Sequence, residues 1–173
     1  VWVTPWVGYV APPRPAYVPT SQPGPPGGCK NVLFIGVRGS GESPQFPNLV
    51  YNETSELANM GTKVPSVAYG DLDAIETQFA ADNRPSVRFL GVRYTAAAAD
   101  DIRNYTNGDF VSSVFEGEFA LFDAFAAARR QCPDEQVVLS GYSQGALVVH
   151  LFLADFVADN PGWASAIAGV ALI

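Results

Sequence analysis

Four short apolar runs constrain this chain most: NVLFIGV (31–37), SVRFLGVRY (86–94), QVVLSGY (136–142) and AIAGVALI (166–173). Continuous, β-branched runs of this length read as strands buried on both faces, the mark of a parallel sheet. The stretches between them read differently. Residues 48–60 carry Leu49, Leu57 and Met60 among polar neighbours and predict a helix, with Gly61 as its C-cap. Residues 71–82 predict a short helix, and YTAAAADDIRNYTNGD is a long connection. Residues 110–130 predict a strong helix with Val111, Phe115, Phe119, Phe122 and Ala126 on one stripe. Residues 144–159 predict another, stopped before Asn160-Pro161-Gly162. Strands alternating with helices predict an α/β fold of three layers, a central parallel sheet with helices on both faces. In such sheets a ligand crevice lies outside the carboxyl ends of the strands.

This pattern occupies residues 29–173, a length that suits one domain. Residues 1–28 differ. They hold eight of the fourteen prolines, together with Trp2, Trp6, Tyr9 and Tyr17. Such a segment favours extended, polyproline-like chain. It reads as a linker, or as an arm whose aromatics dock on the domain, on an envelope polymer or on a protein partner. The opening VWVTPWVGYV has no initiator Met and no basic n-region, so the chain reads as a processed product or a piece of a longer one. A net charge of −7 argues against a nucleic-acid partner, and no apolar run has the length of a transmembrane segment. Cys29 and Cys132 leave two readings open, a free buried pair or a disulfide. Asn52-Glu53-Thr54 and Asn104-Tyr105-Thr106 are glycosylation sequons. Two distant cysteines and a single histidine indicate no metal site, and no cofactor is indicated.

Gly141-Tyr142-Ser143-Gln144-Gly145 matches G-x-S-x-G where a predicted strand meets a predicted helix. That context makes Ser143 a candidate nucleophile on a strained turn, at a helix N-terminus that favours developing negative charge. Acyl transfer also needs oxyanion donors. The N–H of Gln144, the residue after the nucleophile, is one. The loop GVRGSGES (36–43) offers Gly39, Ser40 and Gly41 for the second, and it lacks the lysine of a phosphate-binding loop. The general base is the difficulty. His150 lies seven residues beyond Ser143 on the same helix, about 10 Å along its axis, whereas a base must come within about 3 Å or act through one water. It reads as a partly buried structural histidine. Asp123, Asp134, Asp155 and Asp159 read as solvated charges, and Glu42 is the one carboxylate near the crevice.

These motifs together resemble the cutinase family of serine esterases, which includes acetylxylan esterases and cutinase-like lipases of α/β-hydrolase type. Three features carry the resemblance: Arg38-Gly39-Ser40 with Glu42, Cys132-Pro133-Asp134, and Gly141 to Gly145. It covers roughly residues 29–173. It implies a disulfide between Cys29 and Cys132, and with it an oxidising, extracellular location. It implies Ser143 as nucleophile, with Ser40 (hydroxyl and N–H) and Gln144 (N–H) holding the oxyanion. The substrate would be an accessible ester: a cutin-like polyester, a lipid, an acetylated polysaccharide or a cell-wall ester. The family places the triad Asp and His on loops after the strand that follows the nucleophile helix, here 166–173. The chain therefore reads as cut short, with those residues expected beyond Ile173. The competing reading is a non-catalytic binding or structural module that keeps the fold and uses the Trp/Tyr/Pro arm for interaction.

Overall fold

All four apolar runs are strands of one parallel sheet in a computed structural model of the chain, which describes residues 15–20, 22, 27–43, 57–65, 83, 85–99 and 108–173. The elements are β1 (Val32–Val37), β2 (Val87–Gly91), α1 (Gly108–Gln131), β3 (Gln136–Gly141), α2 (Gln144–Phe152), a π-helical turn Leu153–Val157, α3 (Pro161–Ala164) and β4 (Ile167–Leu172). The strand order is β2-β1-β3-β4. Parallel crossovers are right-handed, and this order decides which face each connection covers. The β1-to-β2 connection moves one way along the sheet, while β2-to-β3 and β3-to-β4 move the other way. α1 and α2 therefore share one face, and the β1-to-β2 connection takes the opposite one.

The packing agrees. Leu33, Ile35, Val37, Leu90, Val137 and Leu139 face Val114, Leu121, Phe125, Val148 and Phe152 of the two helices. On the other face Phe34 packs with Leu57, Met60 and Val64, and Tyr142 closes the cluster. Two glycines let the segment lie directly on the strands. A Cβ at Gly91 would come within 1.9 Å of the Ala58 carbonyl, and one at Gly36 within 2.8 Å of Met60.

Some expectations change. Residues 57–63 are turns rather than the end of a helix, because Asn59 (φ 69°) and Gly61 (φ 70°) are both left-handed. Residues 48–56, the 71–82 helix, both sequons and Trp2, Trp6 and Tyr9 lie outside the described residues. On α1 the deepest stripe is Val114, Leu121, Phe125 and Ala128, whereas Val111, Phe115 and Phe122 are half-buried. The helix has two apolar faces. The second packs against an aromatic group, with Phe122 4.5 Å from Phe156 and 5.4 Å from Trp163 between ring centroids. Asn160 caps α3, its side-chain oxygen accepting the backbone N–H of Trp163 at 3.2 Å.

The amino end of the sheet is tied twice. Cys29 and Cys132 form a disulfide across 103 residues, a closure that contributes on the order of 5 kcal/mol in the chain-entropy account. Beside it Arg88 and Glu135 make a bidentate pair, Nε–Oε1 2.8 Å and Nη2–Oε2 2.5 Å, with both side chains 2% exposed.

Tyr17, Thr20 and Gln22 contact the domain. The Tyr17 ring meets Phe119 and Phe122 edge-on at 5.3 Å, and its hydroxyl donates to Asp123. Asp123 also accepts the Thr20 N–H at 2.6 Å and the Thr20 hydroxyl at 2.7 Å. It is an anchor, not a solvated charge, and the sequence hides this because the donors lie 103 and 106 residues away. The Gln22 side-chain amide pairs with both the N–H and the carbonyl of Arg93.

The Asp123 hydrogen bond, with burial and the carboxylate's charge, pushes the Tyr17 hydroxyl from 10.0 up to about 12, against the opposing Arg130. Folding thus favours the protonated phenol. The contact is intact below the ordinary value and is lost as pH rises through about 12. In Asp123→Asn, tyrosinate absorbance should show the Tyr17 step moved back toward about 10. Asp123→Ala should cost about 1–3 kcal/mol in denaturant unfolding.

Candidate active site

The chain turns from β3 into α2 over two residues, Tyr142 and Ser143. Ser143 takes φ 52° and ψ −112°, a left-handed backbone that a serine holds only under strain. Its side chain is exposed. The turn is fixed on both sides: Tyr142 N–H donates to Val37 O at 3.1 Å and Ser143 N–H to Ile173 O at 2.7 Å. The flanking glycines are steric requirements. A Cβ at Gly141 would stand 2.3 Å from Gly145 O, and a Cβ at Gly145 2.1 Å from Val37 O. These two positions let α2 start against the ends of β1 and β3.

The loop after β1 meets this elbow. Gly39 lies against Tyr142, where a Cβ would be 2.5 Å from the ring. The loop is zipped to residues 94–97. Gly41 N–H donates to Ala96 O at 2.8 Å, Tyr94 hydroxyl to Arg38 O at 2.5 Å, and Ser40 hydroxyl to Ala97 O at 2.5 Å. Arg38 is 3% exposed, with its guanidinium 5.0 Å from the Tyr94 ring centroid and bonded to the Tyr94 and Val92 carbonyls. Burial lowers the Arg38 pKa, opposed by Tyr94, Glu116 and Glu42. Burial also raises that of Tyr94, which keeps the phenol a donor.

Gln144 begins α2 with a buried side chain that reaches Ala97 O (3.5 Å) and the Ser113 hydroxyl (3.4 Å). Ser40 and Gln144 therefore converge on one carbonyl. Their backbone N–H groups share another property: among the described residues neither has a hydrogen-bond partner, while Gly39, Gly41, Glu42, Ser143 and Gly145 all donate. Two uncommitted donors next to an exposed serine hydroxyl can hold an oxyanion formed at an attacked carbonyl. The Ser40 hydroxyl is directed at Ala97 O, so its N–H is the donor free of a partner.

Glu42 lies by this loop but is not open to a histidine. Its carboxylate accepts from Gly39 N–H, Thr62 N–H and hydroxyl, and Lys63 N–H. Burial raises its pKa, but these donors prevail and hold it below the usual carboxylate value. His150 is exposed, not partly buried, because α2 turns that side outward. Asp134, Asp155 and Asp159 are exposed and belong to other parts of the molecule. Among the described residues no three His, Cys, Asp or Glu side chains gather to hold a metal, and no helix is long and apolar enough to cross a membrane. The Ala96 turn (φ 51°), Ser113 and the Glu42 contacts were not legible, since an alanine run carries no geometric signal.

A family model described as Cutinase matches residues 28–173. Cutinase 4 of Emericella nidulans is 34% identical over 125 residues, 71% of this chain and 42% of that protein. Cutinase 1 of Fusarium vanettenii is 28% identical over 127 residues, 73% of this chain and 44% of that protein. This chain thus spans less than half the length of these curated relatives. Among solved structures, an acetylxylan esterase aligns with a TM-score of 0.58 at 20% identity, covering 83% of this chain and 62% of its own. A Trichoderma reesei cutinase in complex with a phosphonate inhibitor aligns at 0.54 and 21%, covering 83% and 51%. At that identity the alignments speak for the fold.

Two substitutions test the elbow by urea unfolding of the full chain. Ser143→Gly should gain about 1 kcal/mol, since ~1–3 kcal/mol of strain is relieved against ~0.5–1 kcal/mol of added chain entropy. Gly145→Ala should lose about 1–3 kcal/mol or more, because the carbonyls of Val37 and Arg38 cannot yield.

Proposed function

The chain belongs to the cutinase family, and on that premise we propose that it supplies the nucleophile and oxyanion site of a secreted serine esterase. The observation that carries this reading is Ser143, exposed on a strained elbow and flanked by the partnerless N–H groups of Ser40 and Gln144. Ser143 Oγ attacks the acyl carbon while a general base takes its proton. The carbonyl electrons move onto oxygen, which the two N–H groups stabilise. The tetrahedral species collapses, the alcohol leaves with a proton, and an acyl-serine remains for water to hydrolyse.

His150 is too far along α2 to be that base. The acid and base are proposed on a segment following Ile173. The Ser143 N–H···O=C Ile173 bond supports this, because it puts chain leaving β4 next to the nucleophile. An accessible carboxylic ester of a polymer, lipid or acetylated polysaccharide suits a hydroxyl held at the surface. Secretion is supported by the Cys29–Cys132 disulfide, which persists in oxidising surroundings.

The full-length protein should release alcohol from a short-chain p-nitrophenyl ester, and a fluorophosphonate should label Ser143. Ser143→Ala should reduce turnover by about 10⁴-fold or more, with His150→Ala unchanged. A full-length protein that is folded, silent on esters and unlabelled would instead favour a binding module.

A further inference from the structure

Each peptide plane around Ser40 is held by a named bond, and Glu42 supplies two of them. Its carboxylate Oε2 accepts the Gly39 N–H at 2.6 Å, which fixes the plane before Gly39. Its own backbone N–H donates to Gly39 O at 3.2 Å, which fixes the plane between Gly39 and Ser40. In a trans peptide the carbonyl and the N–H point in opposite directions. With Gly39 O drawn toward Glu42, the Ser40 N–H faces away from the turn, and it is the one that lacks a partner. The other oxygen, Oε1, accepts Thr62 N–H (2.9 Å), Thr62 hydroxyl (2.8 Å) and Lys63 N–H (3.3 Å). The oxyanion loop is thereby tied to the turn that covers the opposite face of the sheet. Gly61 leaves room for this, since a Cβ there would stand 2.4 Å from Oε2.

We propose that Glu42 is a positioning residue for ester hydrolysis: it aims the Ser40 N–H at the oxyanion by clamping the Gly39–Ser40 turn to residues 61–63. This rests on the esterase reading above. A neutral amide has one acceptor where the clamp needs two, and its NH₂ would face a donor at Gly39 or at Thr62. The turn then loosens on one side. Because the Ser40 N–H acts on charge that develops during reaction, the loss falls on the chemical step and spares ground-state binding.

The test uses the full-length protein, with kcat expressed per active site titrated by a fluorophosphonate. Glu42→Gln should lower kcat by about 10–100-fold, less than the ~10²–10³ for removing an oxyanion donor outright. KM should stay within about threefold, since uniform binding is untouched. A trifluoromethyl ketone, which forms a tetrahedral adduct with the serine, should lose affinity by the same factor as kcat. Thr62→Val, which removes one donor and leaves the carboxylate, should move kcat in the same direction by less, and it serves if Glu42→Gln does not fold. A tie that is merely structural would lower the titrated fraction and the melting temperature while kcat per site stayed at the wild-type value. That result, with the wild type active, overturns the role of Glu42 alone. A silent wild type overturns the esterase reading and this role with it.

Discussion

Parallel strands joined by right-handed crossovers leave a chain little freedom once its strand order is set. Here β1 sends its outgoing chain toward β2, and β3, its neighbour, sends its own toward β4. The two exits part company at the carboxyl ends of adjacent strands, and the chain that leaves β2 sets Ala97 O between the loop at Ser40 and the helix start at Gln144. The loop at Arg38 and the elbow at Ser143 both open on that gap. Gly141 and Gly145 are there because backbone meets backbone where the helix starts, and Gly39 because the Tyr142 ring lies against it. The Val37–Gly141 register closes the central pair at the level of the site.

Binding forces are spread unevenly along the strands. The amino end holds the disulfide and the Arg88–Glu135 pair, where breaking one partner leaves an uncompensated buried charge. The carboxyl end holds two left-handed non-glycine residues, Ala96 and Ser143, and a loop held mainly by hydrogen bonds between side chains and backbone. Strain at a site persists only when its surroundings over-determine it. Arg38, Tyr94, Glu42 and Gln144 do so by bonding carbonyls and amides from three separate chain segments.

β1 and β3 were legible because burial on both faces writes a continuous apolar run, whereas β4, expected to be buried likewise, is half-exposed along its length. The elbow was legible because its sterics demand glycine at two fixed offsets from the serine, and Cys29 with Cys132 was legible through the family resemblance. Contacts between distant residues were not. Asp123 looks like any surface acid until Tyr17 and Thr20 arrive from more than a hundred residues away. α1 misled because both its faces are apolar, and periodicity cannot rank a sheet-facing stripe above one that meets Tyr17, Phe156 and Trp163. His150 looked half-sheltered for the same reason: a pattern of apolar neighbours does not say which side of a helix is covered.

Gln22 gives its amide to both backbone groups of Arg93, just past the end of β2. That side chain behaves like one residue of a neighbouring strand and blocks pairing at the margin where the arm passes. Among the described residues β4 has no such guard on its outer margin, and its Val170 and Leu172 side chains are 43% and 49% exposed. An unprotected strand margin is a template for further pairing. The sheet is therefore polar in how it can grow. Among the described residues the outer margin of β4 is open to pairing, whereas the β2 side is closed at Arg93 by Gln22.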